Sequence, residues 1–481
     1  MSGLSASTIT SRLAAEGTTP ATQQLILQFL NGVASAAALA GVEPQEGPVE
    51  DSPSSGFGDQ VRDYDIGLVV AQRILARRNG LGSFTALTQL AGIKGLGIDK
   101  FNDLLYSFTL CVHEVSGIVF NFNSATCSND ALNLRRNFAN PLPSPSWTRA
   151  SNRVARDSCA AYSIQATQGQ PLAIRVALRA NGLSAAFVRA TGGGTLGAVK
   201  EQLVSFDAAG DSGWQSFQLD APSFHAQGVR VFEIAWTWQW RRLPGDPWRP
   251  LLVTRHRIYT ILELPTLPWV QTTGSTSQPW TDALDIACVW ANGATTRDAA
   301  AALVTAGYNG CGRVSYDTVQ GATFYGSVDY QLTQMIARLN GGAGLGGKVN
   351  CTDSASTVST FANLLGCDLW QSRMSSSFAL NPMIAIGYSS WVIPFSGSFS
   401  YHEVAWKGAC TSADNVFDGC LQVDADADPV NPPHTPLLPT NMLFGDCSTM
   451  TYRLRLCPPT SSGCVKCQPQ PATTRKRRPI V

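Results

Sequence analysis

Charge is scarce in this chain, and what there is cancels. Asp, Glu, Lys and Arg make up 14% of 481 residues, and 35 basic groups against 34 acidic ones leave a formal net charge of +1. That balance supplies neither the pull that non-specific nucleic-acid binding needs nor the basic surface that an anionic membrane recruits. No apolar run approaches the roughly 20 residues that cross a bilayer. Residues Met1 to Thr10 lack the basic start and apolar core of a secretory signal, so the cytosol is the default expectation, with signal-independent secretion left open. No glycine-rich nucleotide-phosphate loop is present. Histidine is rare, five in all, which keeps the search for a catalytic base short.

The remaining composition, 44% hydrophobic and rich in Gly, Ala, Ser and Thr, suits a globular chain of several domains. Ten of the thirteen cysteines fall between Cys288 and Cys467. The odd total argues against a complete disulfide framework. Cys447, Cys457, Cys464 and Cys467 are separated by nine, six and two residues, which fits no compact zinc module. Buried thiols, or a disulfide formed late, are the expectation there, with no metal and no cofactor.

Residues 1–44 read as helical, with Thr19-Pro20 as a start signal, and 45–60 as a Pro/Gly/Ser linker. Residues 61–112 form a second helical unit. Within it Ile93-Lys-Gly-Leu-Gly97 resembles the turn of a helix-hairpin-helix motif. In that family such a turn holds a nucleic-acid backbone, here through Lys94, Gly95, Gly97 and Lys100. Because Asp65, Asp99 and Asp103 offset Arg73, Arg77 and Arg78, a structural role is preferred and nucleic acid is not expected as a partner. Residues 113–268 alternate with period two, for example Val229 to Trp240, and predict an antiparallel β-sandwich with Trp236, Trp238 and Trp240 in its core. Asp424-Ala-Asp-Ala-Asp428 lacks the glycine and the closing Glu of a calcium loop. The stretch 458–481, ending in Arg475-Lys-Arg-Arg478, reads as a Cys/Pro-rich, basic, solvated tail.

Chemistry concentrates in between. After the turn-forming Gly341–Gly347 segment, Ala355, Val358, Ala362 and Leu365 recur at helical spacing and Gly366 is a stop signal. Asn350 is the expected N-cap, which puts Cys351 in the first turn, where the helix dipole favours a thiolate. Of the two histidines beyond it, His434 lies in a proline-rich loop with nothing to fix its ring. His402 lies in the alternating strand Ser400–Trp406. A second alternating strand, Val416–Asp424, sets Asp418 beside it in a hairpin, giving a Cys-His-Asp triad.

A cysteine at a helix start, followed by His and Asp on successive strands, resembles the transglutaminase-like branch of the papain-type thiol enzymes over residues 278–457. The resemblance makes Cys351 the nucleophile, His402 the base and acid, and Asp418 the orienting carboxylate, with helices at Gln278–Gly293 and Thr296–Val304 leading the domain. In the animal cross-linking enzymes an aromatic residue follows the cysteine, whereas Thr352 follows it here, so the reaction and substrate stay open. The oxyanion donors are the Cys351 N–H and one of Tyr316, Tyr325 or Gln334. Trp370 and Trp406 are candidate cleft walls.

The expected fold is therefore multidomain α+β, with a helical helix-hairpin-helix-like unit, a central β-sandwich and a transglutaminase-like α+β domain. The expected activity is thiol-dependent acyl transfer on a glutamine side chain or peptide carbonyl of a protein or peptide. The outcome is cross-linking to an amine, deamidation or proteolysis. The alternatives are an inactive binding protein on the same scaffold and nucleic-acid binding through the hairpin. Membrane association is not expected.

Overall fold

The computed structural model describes residues 3–15, 18–40, 66–109, 111–122, 128–149, 155, 158–221, 224–245, 248–374 and 377–481. The expected linker 45–60 and Asp65 lie outside them. Three stretches of different periodicity build three hydrophobic clusters.

The first contains α1 (Ala6–Ala15), α2 (Pro20–Gly32), α3 (Ala36–Leu39), α4 (Leu68–Leu81) and α5 (Ile98–Thr109). Thr19 caps α2 as expected, its hydroxyl accepting the Thr22 N–H at 3.1 Å. The Ile93–Gly97 turn is preceded by a single 3-10 turn, Leu87–Leu90, in place of a full helix. Three of its basic groups bond inside the unit. Arg73 donates to the Lys94 carbonyl at 2.6 Å, Arg78 to the Val33 carbonyl at 2.6 Å, and Lys100 to the Ile66 carbonyl at 2.7 Å. Lys94 itself is exposed, Gly95 carries the positive φ of the turn, and Gly97 opens directly into α5.

The second cluster fills a sheet of nine strands, β1 (Cys111–Val119), β2 (Trp147–Thr148), β3 (Cys159–Ser163), β4 (Ala173–Asn181), β5 (Ala185–Gly192), β6 (Ala198–Ser205), β7 (Asp211–Asp220), β8 (Arg230–Arg241) and β9 (Arg249–Ile261). Their order is β2-β1-β4-β7-β6-β5-β8-β9-β3, antiparallel throughout except for the β3–β9 pair. Strand β1 packs against β9, so the sheet curls on itself. Instead of the two facing sheets of a sandwich there is one continuous curled sheet. Period-two alternation turns Trp236, Trp238 and Trp240 into its interior, where all three are buried.

The third cluster is the one that positions the site. Its helices are α6 (Thr281–Trp290), α7 (Arg297–Asn309), α8 (Leu332–Leu339), α9 (Cys351–Leu364), α10 (Tyr452–Leu456) and α11 (Pro471–Thr474). Strands β10 (Ser315–Tyr316) and β11 (Lys348–Val349) pair in parallel, as Tyr316 opposite Val349. The remaining strands are β12 (Trp370–Met374), β13 (Phe378–Ala379), β14 (Ile384–Ala385), β15 (Ser398–Phe399), β16 (His402–Trp406), β17 (Asn415–Phe417), β18 (Leu421–Asp424), β19 (Pro436–Leu437) and β20 (Thr440–Leu443). They form a β12-β16-β17-β20 sheet, a β14-β18-β19 sheet and a β13–β15 pair.

Every residue of α9 is buried. A helix so rich in Ser and Thr survives burial because its hydroxyls bond back one turn. Ser354, Ser356, Thr357 and Ser359 donate to the carbonyls of Asn350, Thr352, Asp353 and Ala355 at 2.7–2.9 Å. Gly366 ends the helix region at φ +90°, as its sequence position predicts.

Two expectations are corrected here. The strand over 416–424 is split: β17 ends at Phe417, Asp418-Gly-Cys420 turns, and β18 joins a different sheet. The basic tail is folded. Lys476 exchanges backbone hydrogen bonds with Gln371 at 2.9 Å, and the Val481 N–H donates to Tyr330 at 3.0 Å. Arg475 and Arg477 stack on Trp370, 3.5 and 3.8 Å from its ring centre. Among the described residues no helix is long and apolar enough to cross a membrane.

Candidate active site

Cys351 is placed by what immediately precedes it. Strand β11 delivers the chain to Asn350, whose side-chain oxygen accepts the Asp353 N–H at 3.0 Å, while Asp353 accepts the Asn350 N–H at 3.1 Å. This reciprocal cap fixes the first turn of α9. Asp353 also accepts the N–H groups of Phe324, Tyr325 and Gly326 at 2.7–3.0 Å. Burial raises its carboxyl above the usual range, and those N–H groups oppose the rise. In the sequence, only its N3 position marks this acid.

His402 opens β16 and is fully buried. Its Nε2 lies 3.0 Å from Asp418 Oδ2. Burial disfavours the imidazolium, but the Asp418 charge and hydrogen bond, with a smaller contribution from Cys351, prevail and push the ring up to about 10. His402 therefore carries its proton at neutral pH. Its Nδ1 has no hydrogen-bond partner among the described residues, and Cys351 is the other titratable group that raises the ring. Phe399 stacks on the imidazole at 5.0 Å, 15° from parallel. Asp418 is held on both oxygens: Oδ2 accepts the Tyr452 hydroxyl at 2.8 Å and Oδ1 the Cys420 N–H at 2.9 Å. Against burial, His402 and these donors keep its carboxyl below the usual range. The expected hairpin thus brings the pair together, although Asp418 sits just beyond β17 instead of within a strand.

Of the three oxyanion candidates, Tyr316 is the one that lies near Cys351. The β10–β11 pairing carries it beside the residue before the cap, and Cys351 is close enough to influence its phenol. Burial, then Cys351, Cys420 and Asp418, push this phenol well above the tyrosine range, so it remains a donor. Tyr325 turns to the glycine-rich loop, donating to the Gly346 carbonyl at 2.6 Å and accepting the Leu345 N–H at 3.0 Å. Gln334 lies half-buried on α8 with its backbone oxygen against Gly344. Trp406 is wholly buried against Phe444, and Trp370 is covered by the tail arginines. His434 is not loose as its loop predicts: Nδ1 lies 2.6 Å from Asp424 Oδ2 and the ring packs on Trp391 at 4.7 Å.

Thr352, the departure from the aromatic pattern, has a partner. Its hydroxyl donates to Glu403 Oε2 at 3.0 Å, so the residue after the nucleophile is tied to the residue after the base. Glu403 is buried and in turn receives Arg478, at 2.6 and 3.1 Å, and Arg373 at 3.0 Å. Burial would raise the Glu403 carboxyl, but the two guanidiniums hold it below the usual range.

Cysteine use around the site is mixed. Cys447 and Cys464 form a disulfide, while Cys457 and Cys467 are buried neighbouring thiols. Cys420 is buried beside Asp418, and burial first, then the Asp418 and Cys351 charges, push its thiol well above the usual range. His402, Asp418 and Cys420 each place one donor atom within 4.8 Å of the other two. No protein-family model matches the chain, and no curated protein matches it in sequence.

Proposed function

We propose that the protein is a thiol-dependent acyl-transfer enzyme built on a transglutaminase-like domain over 278–457, with the helical and curled-sheet regions as docking parts. What carries the reading is one juxtaposition. A cysteine in the first turn of a buried helix lies near enough to a buried histidine to influence its titration, and a doubly anchored carboxylate 3.0 Å from that ring favours its charged form. An imidazolium beside a sulfur is the arrangement that favours a thiolate. The Cys351 sulfur attacks the carbonyl carbon of a glutamine side chain or peptide bond, and the Tyr316 hydroxyl with the Cys351 N–H receives the oxyanion. His402 gives its proton to the departing nitrogen as the C–N bond breaks, leaving a thioester. An amine or water then attacks, losing its proton to His402, and sulfur departs. Amine attack makes a cross-link, and water a deamidated side chain or a cut peptide.

An inactive binding scaffold is the second reading, favoured by one observation: Cys351 is 3% exposed and His402 is closed off altogether. The pH dependence of Cys351 alkylation by iodoacetamide, read by peptide mass spectrometry, separates the two. The enzyme reading expects labelling well below pH 8 that slows about 100-fold or more in His402→Ala, within the range of general-base effects. Labelling no faster than that of the other free thiols, and indifferent to His402, supports the scaffold.

A further inference from the structure

Acyl transfer gives Cys420 no task, yet its sulfur sits in the same small space as the His402–Asp418 pair. The three supply one nitrogen, one carboxylate oxygen and one sulfur, all buried and within 4.8 Å of one another. Asp418 and Cys420 are two residues apart around Gly419, and that corner is fixed. A Cβ on Gly419 would stand 2.8 Å from both Tyr308 and Val358, so only glycine lets the chain pass so close. Both Asp418 oxygens are further held from outside by Tyr452 and the Cys420 N–H, the kind of outer support that orients metal-ligating carboxylates.

The donor set selects the ion. Calcium takes six to eight oxygens and magnesium a near-octahedral oxygen shell, neither of which one carboxylate can supply. Mixed N, O and S donors in a tight cluster are what Zn²⁺ takes, at bond lengths that separate its tetrahedral ligands by about 3.3 to 3.8 Å. The His402 and Asp418 atoms, 3.0 Å apart, must open slightly and the wider separations, none above 4.8 Å, must close, which needs side-chain shifts of roughly 1 Å.

We infer that His402, Asp418 and Cys420 form a binding site for a single Zn²⁺ ion, and that the bound ion, by taking a ring nitrogen of His402 and its Asp418 partner, disables the ring as the proton carrier for Cys351. Binding replaces the Cys420 S–H proton and one imidazolium proton with the metal, and both protons leave to solvent. The site stands on geometry alone. Its inhibitory consequence rests on the acyl-transfer reading.

The test uses the full chain, stripped with a chelator and returned to chelator-free buffer. Zn²⁺ is titrated in competition with a chromophoric chelator, and Co²⁺ is added in parallel as a spectroscopic substitute. Expected are one equivalent bound, a thiolate-to-cobalt charge-transfer band with intense tetrahedral visible bands, and Zn²⁺ affinity weakened about 100-fold or more in Cys420→Ser. One equivalent of Zn²⁺ should also slow Cys351 alkylation at least about tenfold in the wild type. The spectrum needs no variant, so misfolding of Cys420→Ser does not shelter the proposal. Absence of the charge-transfer band, or Zn²⁺ binding undiminished in Cys420→Ser, overturns it. A cobalt spectrum with an unreactive Cys351 in the stripped protein sinks the enzyme reading and leaves the metal site standing. A reactive, His402-dependent Cys351 without metal binding does the reverse.

Discussion

At the scale of single residues the site turns on one proton. His402 holds it because Asp418 outweighs the cost of burial, and the balance reverses once the carboxylate loses its charge. In Asp418→Asn burial is opposed only by the smaller influence of Cys351, and the ring should titrate well below the wild-type value of about 10 when monitored by NMR of labelled histidine. Because the folded ring lies above its ordinary 6.5, its contribution to stability is fully present below pH 6.5. It is lost as pH rises through about 10. Urea unfolding across that window should therefore show the wild type losing stability more steeply than Asp418→Asn. Titration of the wild-type ring near 6.5 would mean that Asp418 does not hold the proton. Residue types and order made the helix start at Cys351 and the His402–Asp418 pair legible in the sequence. Tyr452 and Phe399 were not, because they sit on α10 and β15, elements of five and two residues that are too short to carry a periodic signal.

At the scale of elements, α9 was legible almost to its ends: the Asn350 cap, the spacing of Val358 and Ala362, and the Gly366 stop are all local. The strand over 416–424 misled because its alternation continues through a corner. Phe417 and Leu421 are both buried, but in different sheets, and the break between them is set by Tyr308 and Val358 pressing on Gly419. Gly419→Ala should accordingly lower unfolding free energy by about 1–3 kcal/mol in urea, as overpacking does. It should also slow Cys351 alkylation by displacing Asp418. Gly80, within α4 and with nothing near its would-be Cβ, is the contrast. There Gly→Ala should stabilise by about 0.4–1 kcal/mol through the unfolded chain. Equal effects at the two positions would show that the corner is not tightly packed.

At the scale of the whole molecule, the segment 475–481 packs back onto the domain that holds the site. A run of Arg and Lys amid Pro and Thr reads as solvated, since sequence shows a charge without showing a partner 75 positions away. Arg478 is 1% exposed and meets Glu403, itself joined to Thr352, so the end of the chain braces the residues next to Cys351 and His402. Arg478→Met leaves Glu403 with Arg373, a partner one-third exposed. Stripping one member from a buried pair costs about 3–5 kcal/mol. The loss should be measurable in urea at neutral pH. Since the guanidiniums hold the Glu403 carboxyl below its ordinary 4.5, their stabilisation is present above that pH and fades as pH falls further. The gap between wild type and Arg478→Met should therefore narrow in acid. Adding Glu403→Gln removes the stranded charge, so the double variant should recover part of the stability, with a coupling in the range expected of contacting residues. If the single and double variants are equally destabilised at every pH, Arg478 contributes packing alone, and the charge link between the chain end and the site is absent.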